Sequence, residues 1–147
     1  MILLDSNVYI RGFNDETFGA EFRRFHQAAL PQLVLSAVVL TELLAGANSP
    51  DREKTLRRTI IEPFQARNRI HVPTRRTWEL SAGVDRRLRI LGGYAASLAM
   101  RGFFSDMLIA CSARELGAIV VTHNTADFTL LQTVIDFQFR TPWPSLA

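Results

Sequence analysis

The chain is poor in cysteine, in lysine and in long apolar runs, and each shortage narrows what it can be. Cys111 is the only cysteine among 147 residues, so no internal disulfide can form; the stapled secreted scaffolds are excluded, and the expectation is a reducing, cytoplasmic setting. No apolar run approaches the roughly 18 residues a membrane span needs. The N-terminal MILLDSNVYI carries an aspartate at its fifth position and lacks a basic segment and a long apolar core, so it does not read as a signal peptide. No Cys/His cluster has zinc spacing, and no glycine-rich loop ends in Gly-Lys, which removes the P-loop nucleotide enzymes. Lys54 is the sole lysine. A phosphorelay receiver domain needs one after a late strand, and a haloacid-dehalogenase-like phosphatase needs both an assisting lysine and Asp-x-Asp after its first strand, where this chain has Asn7 as the third residue.

What is present describes a soluble globular protein: 48% hydrophobic and 21% charged residues in a length suited to one domain, 1–147. The net charge of +3 is carried almost wholly by arginine. Guanidinium groups bind phosphate bidentately and stack on bases, which suits a nucleic-acid partner; a solvated basic face explains the same excess. The arginines crowd the middle third, from Arg52 to Arg89.

Ile2-Leu3-Leu4 is a short apolar run stopping at Asp5, the pattern of a buried parallel strand ending in a polar turn. Glu16 to Leu30 has helical spacing, with Phe18, Phe22, Phe25 and Ala29 on one side and Pro31 as the stop. Leu33-Val34-Leu35 reads as a second strand, and Ser36 as the cap of a helix carrying Glu42 and ending near Gly46. Asp51 to Ala66 is expected as a helix that Pro63 limits or kinks. Ile70-His71-Val72 reads as a third strand. A long helix from Thr74 points Trp78, Ala82 or Val84, and Leu88 inward, Gly92-Gly93 interrupts it, and Tyr94 to Arg101 resumes as helix. Gly102 to Ser105 is expected as a loop, with Ser105 capping a helix from Asp106 to Leu116 that Gly117 ends. Ala118 to Val121 reads as a fourth strand, Thr125 to Leu131 as a helical turn, and Val134 to Phe139 as an edge strand. Strands alternating with helices predict a three-layer α/β/α sandwich around a central, mostly parallel sheet.

In such a sheet functional side chains gather where strands end and helices begin. Asp5, Asp106, and Asn124 with Asp127 fall at such places, and Glu42 rides on the helix after the second strand. Each has an ordinary explanation: a turn acceptor for Asp5, a helix-dipole partner for Asp106, a solvated helix residue for Glu42, a capping pair for Asn124 and Asp127. Brought together, these carboxylates would repel each other unless a cation stood among them. A hard divalent ion with oxygen ligands fits that need, and the chemistry it serves is phosphodiester hydrolysis.

The segments LLDSNVYI, SAVVLTELLAG and FFSDMLIACSARELGAIVVTHNTADF, in this order and at these separations, resemble the PIN-domain ribonucleases, most closely the VapC type of bacterial toxin. The resemblance spans Ile2 to Phe128. It implies a Mg²⁺- or Mn²⁺-dependent endoribonuclease leaving 5′-phosphate and 3′-hydroxyl ends, held inactive by a cognate antitoxin and expected as a homodimer. By position it implies that Asp5 and Asp106 ligate metal and that Glu42 binds metal or orients the attacking water. Ser6, Asn7 and Thr122 would position waters. Asn124 stands where the family often has a fourth acidic residue, with Asp127 either replacing it or capping the last helix. The rival from another class is a non-catalytic PIN-like module that binds RNA or protein through the same acidic pocket. The RNA target and the antitoxin's identity are not readable from the sequence.

Overall fold

Ile2, Leu3 and Leu4 are buried without alternation, which only a strand covered on both faces permits. In the computed structural model, which describes residues 1–92 and 100–146, they form β1 (Ile2–Leu4), the centre of a five-stranded sheet of order β3-β2-β1-β4-β5. The other strands are β2 (Leu33–Ser36), β3 (Ile70–His71), β4 (Ile119–Val121) and β5 (Gln138–Arg140), and every pairing is parallel. Parallel neighbours need crossovers, which helices supply. The result is the expected α/β/α sandwich, with a sheet wholly parallel rather than mostly so.

The strand order reverses direction between β1 and β4: β2 and β3 are laid down on one side, β4 and β5 on the other. A crevice opens at such a switch point, beyond the carboxyl ends of the two strands. Register fixes the alignment, with Leu4 opposite Val121 and the Asp5 amide donating to the Val121 carbonyl at 2.9 Å. Asp5 and Thr122 thereby leave the sheet side by side.

The helices before and after β2 build one flank. Helix α1 (Ser6–Asn14) begins at once after β1, where the sequence suggested only a polar turn; Asp5 itself is its N-cap, accepting from the Ser6 amide. Helix α2 (Glu16–Ala29) follows with Asp15 as cap, and the two pack tightly through glycines. A Cβ on Gly12 would stand 2.7 Å from the Phe22 ring, and one on Gly19 would stand 2.7 Å from the Gly12 carbonyl oxygen. Helix α3 (Ala37–Gly46) is capped by Ser36 as expected.

Pro63 neither stops nor sharply ends its helix. Helix α4 (Pro50–Leu56) widens into a π turn over Arg57–Ile61 and continues as α5 (Glu62–Ala66). The Glu62 amide reaches back five residues to the Arg57 carbonyl; the widened turn precedes the place where the proline ring would press on the Thr59 carbonyl and where its missing N–H leaves that carbonyl undonated.

Helix α6 (Arg75–Leu91) starts at a capping box of Thr74 and Thr77 and buries Val84 and Leu88, while Ala82 faces outward. Trp78 corrects the expectation: it is 48% exposed and lies at a tilt beside Phe104, ring centroids 6.0 Å apart. The resumption of helix over residues 94–99 lies outside the described residues. Helix α7 (Arg101–Leu116) includes the segment Gly102 to Ser105 that reads as loop, so Ser105 is not its cap and Asp106 lies beyond its first turn. From Asp106 to Ala113 every residue is buried, the mark of a helix inside the protein rather than on it. Gly117, at φ 62°, ends it in the left-handed region that glycine tolerates. Helix α8 (Thr125–Gln132) follows β4, and the last strand is confined to Gln138–Arg140. Among the described residues no helix is long and apolar enough to cross a membrane.

Candidate active site

The crevice at the β1–β4 switch point is a cleft of about 250 Å³ lined by the polar residues Asp5, Ser6, Asn7, Glu42, Asp106, Asn124 and Asp127 together with Met100, Gly102 and Phe103. Four elements converge there: the end of β1, the middle of α3, the second turn of α7 and the loop from β4 into α8. Seven of the eight residues singled out in the sequence line the cleft. The eighth, Thr122, is fully buried directly beneath it.

Asp5 is the most fully partnered group. Its Oδ1 accepts from the Ser6 amide at 2.7 Å; its Oδ2 accepts from Thr122 Oγ1 at 2.7 Å and from Asn7 Nδ2 at 3.0 Å. Thr122 Oγ1 in turn accepts from the Asn124 amide at 2.9 Å and from Asn7 Nδ2 at 3.2 Å, and Asn7 Oδ1 accepts from the His123 amide at 3.2 Å. The web ties the first residues of α1 to the β4–α8 loop. Burial raises the Asp5 pKa, the Thr122 and Ser6 hydrogen bonds work against that rise, and the charge of Glu42 adds to it.

Asp106 is differently placed. It is 7% exposed, and one donor reaches it, Asn124 Nδ2, at 2.9 Å from Oδ2. Burial first, then the charges of Asp5, Asp127 and Glu42, push its pKa up to about 8. The same Asn124 amide donates to Asp127 Oδ2 at 2.9 Å, while Asn124 Oδ1 accepts from the Asp127 amide. Asn124 and Asp127 thus do form the N-terminal cap of α8, and the cap also reaches into the cleft. Glu42 contributes an Oε2 that is buried with no hydrogen-bond partner among the described residues.

Among the described residues no three carboxylate, imidazole or thiolate groups stand close enough to enclose a metal ion as they are. The donor chemistry nevertheless fits a hard divalent cation: an all-oxygen set, a buried carboxylate oxygen without a partner among the described residues, and an aspartate whose proton affinity is raised by burial and then by three other acids. An ion held among these carboxylates would offset their mutual repulsion. Such an arrangement can bind a divalent ion, hold water near it and neutralise an incoming phosphate.

His123 stands outside the cleft lining, its ring 5.1 Å from Phe18, and burial followed by the nearby Arg11 lowers its pKa. His26 and Trp143 pack among aromatic rings, Trp143 stacked on Phe25 at 4.7 Å. Sequence reasoning did not anticipate a second, larger concavity. A groove of about 870 Å³ runs between α1–α2 and α3–α4, walled by such residues as Ile10, Phe13, Phe22, Leu43, Leu56 and Ile60, and it shares Glu42 with the cleft. Its signal in the sequence was the outward-facing Ile10 and Phe13, which belong to a helix that the pattern did not reveal.

A family model, the PIN domain, matches residues 2–131. Among solved structures, that of FitAB bound to an IR36 DNA fragment is similar at TM-score 0.70 and 21% identity, covering 100% of this chain and 99% of that one. VapBC2 from Rickettsia felis, bound to a DNA fragment from its promoter, is similar at TM-score 0.65 and 19% identity, covering 98% and 100%. DNA-bound VapBC from Salmonella typhimurium is similar at TM-score 0.68 and 20% identity, covering 95% and 96%. No curated protein matches by sequence.

Proposed function

Because this chain belongs to the PIN domain family, we propose that it is a VapC-type toxin, an endoribonuclease dependent on Mg²⁺ or Mn²⁺, in which Asp5, Glu42 and Asp106 are catalytic. The observation that carries the reading is the convergence of four acidic side chains at the switch point, one of them raised to a pKa of about 8 and another with a buried oxygen left unpartnered. A protein has no structural reason to accumulate such repulsion; a metal-dependent phosphodiesterase does.

Asp5 and Asp106 would hold the ion. When bound, it offsets carboxylate repulsion, lowers the pKa of water and neutralises charge on the phosphate. The protein's own groups do the remainder. Asp5 is oriented by Thr122, Asn7 and the Ser6 amide, and the Thr122 and Ser6 hydrogen bonds favour its charged form against the rise that burial causes, with Ser6 and Asn7 also lining the cleft. Glu42 Oε2, free of competing donors, accepts the proton of the attacking water as its oxygen bonds to phosphorus and the bond to the 3′-oxygen breaks; that oxygen leaves as an alkoxide, takes a proton from solvent to become the 3′-hydroxyl, and the new end is a 5′-phosphate. Asn124 and Asp127 fix the far wall. The test is cleavage of single-stranded RNA by the purified protein, lost with EDTA and restored by Mg²⁺ or Mn²⁺; failure of both ions to support cleavage would overturn the reading.

The alternative is a non-catalytic module, in which the Asn124 amide, donating to both Asp106 and Asp127, itself holds the two carboxylates together. RNA binding that persists with no metal-dependent turnover would support that module instead. For a toxin, a cognate antitoxin is the expected partner, and the groove that opens onto Glu42 offers an apolar surface from which such a protein could reach the cleft. A homodimer would use the exposed apolar side chains of α6 and α7, Trp78, Ile90, Leu91 and Phe104. A cytoplasmic location agrees with the RNA substrate and the reduced, buried Cys111.

A further inference from the structure

The cleft has a charge problem that a metal does not fully answer. Its described lining holds Asp5, Glu42, Asp106 and Asp127 and no Lys, Arg or His. A bound cation can serve the phosphate being cleaved, but RNA carries a phosphate at every nucleotide, and those on either side meet the same negative field. Productive binding therefore needs a cation fixed just outside the cleft.

Arg11 answers that description. It lies one helical turn beyond Asn7 on α1, hence on the same face, and Asn7 lines the cleft and accepts from the His123 amide. The Arg11 guanidinium sits over the Phe18 ring, 4.5 Å from its centroid, and Phe18 packs against His123. Arg11 is close enough to His123 to disfavour protonation of that imidazole. The side chain is thus anchored by its flat face while 52% of it remains open to solvent. Among the described residues its guanidinium makes no hydrogen bond, and its ion pair with Asp15 is loose, at 3.8 Å with both partners about half exposed. Such a pair is screened and weak, so the planar N–H fork remains available, already ordered, for the bidentate grip that phosphate takes.

We propose that Arg11 is a positioning residue for the RNA strand, its guanidinium over Phe18 binding the phosphodiester adjacent to the scissile one on the Asp5 side of the cleft. The inference rests on the ribonuclease reading for its substrate, yet its binding arm can be read without turnover.

The test compares wild type, Arg11→Gln, Arg11→Lys and, as a surface control, Arg75→Gln, an exposed arginine at the start of α6 that does not line the cleft, in two assays with Mg²⁺ present. One follows cleavage of a single-stranded RNA; the other follows binding of its uncleavable 2′-O-methyl counterpart across a salt series. Arg11→Gln is expected to raise KM and Kd about fivefold with kcat little changed, and to reduce the slope of log Kd against log salt by about 0.7, the value for one fewer neutralised phosphate on a single strand. Arg11→Lys should keep the salt slope while losing part of the affinity, and Arg75→Gln should match wild type. If Arg11→Gln leaves Kd and the salt slope unchanged, Arg11 is only a brace between α1 and α2 and the proposal falls, whatever happens to Tm. Absence of binding by the wild type also overturns it. Binding with the Arg11 dependence but without cleavage supports the proposal and removes the ribonuclease reading instead.

Discussion

The two aspartates that face each other across the cleft differ in how completely the protein satisfies them. Asp5 accepts three hydrogen bonds from Ser6, Asn7 and Thr122; Asp106, nearly as buried, accepts one from Asn124. The β1–β4 wall is therefore a finished anion-binding structure, held by backbone register and a threonine. The α3–α7 wall, with Asp106 and the unpartnered Glu42 oxygen, is left electrostatically open. One wall resembles a completed part of the fold, and the other has its stability spent on something yet to bind.

The sharpest way to break that contrast is to neutralise each aspartate in turn. Both Asp5→Asn and Asp106→Asn are expected to lower RNA cleavage by at least about 10³-fold, a loss of the order that accompanies removal of a charge-stabilising group. Their effects on the metal-free fold should have opposite signs. Asp5→Asn replaces an acceptor by an amide donor facing Thr122 and Asn7, costing about 1–3 kcal/mol, whereas Asp106→Asn relieves repulsion and should raise Tm in EDTA. Equal Tm shifts in thermal denaturation would dissolve the distinction between the walls.

Thr122→Val comes next in size. It removes a donor to Asp5 and an acceptor for the Asn124 amide while conserving volume, and it should cost about 1–3 kcal/mol and reduce cleavage about 10–100-fold, as removal of an outer support of a metal ligand does. Urea denaturation and initial rates would check both.

A pH series sharpens the contrast further. The folded pKa of Asp106 is raised to about 8, so the folded state holds a proton that the unfolded chain has released above about pH 4. The stability from that proton is fully present below the unfolded pKa and is lost as pH rises through the folded one. Metal-free wild type should therefore lose Tm between about pH 5 and 8, and the advantage of Asp106→Asn should grow over the same interval. Stabilisation by added Mg²⁺ or Mn²⁺ should also grow, because binding requires that proton to leave; a metal-induced Tm shift independent of pH would count against Asp106 as a ligand.

The smallest effect expected is that of Asn124→Asp, which exchanges the amide between Asp106 and Asp127 for a fourth negative neighbour. It should lower metal-free Tm and tighten Mn²⁺ binding severalfold by calorimetry. Abolished metal binding would mean that the amide, not an added carboxylate, suits the ion.

How much of this was legible beforehand follows the range of the interactions involved. Strand ends at Asp5 and Val121, the Ser36 cap and the Gly117 stop depend on neighbours in sequence, and they appear where the residues indicate. Alternation of apolar runs and helices makes the parallel sheet readable, and with it the rule that functional groups gather at strand ends, whereas the strand order that places the cleft between β1 and β4 comes from the structure. Helix α1 was hidden because its pattern is short and contains Gly12, a poor helix former kept there by the close approach of Phe22, a residue of another helix. Trp78 reads as core by period alone, yet it lies at the margin of the sheet's cover. Gly102 likewise suggested a loop where tertiary packing of Phe103 and Met107 holds the chain helical. The unequal satisfaction of Asp5 and Asp106 was beyond sequence reasoning altogether, because it depends on which side chains rotate toward which oxygen.

The glycine seam between α1 and α2 gives the cleft a lever. Gly12 lies seven residues from Asp5, an arm of ~10 Å at the helical rise, and the close approach of Phe22 and Gly19 sets the angle of that arm from its distal end. A methyl group at either glycine has no room. If it tilted α1 by about 6°, the Asp5 end of that arm would swing by roughly 1 Å, a misplacement that can cost about 10²-fold in rate. Loss-of-function variants selected from a random library should therefore recur at Gly12 and Gly19, in proteins that still fold and whose acidic residues are all intact.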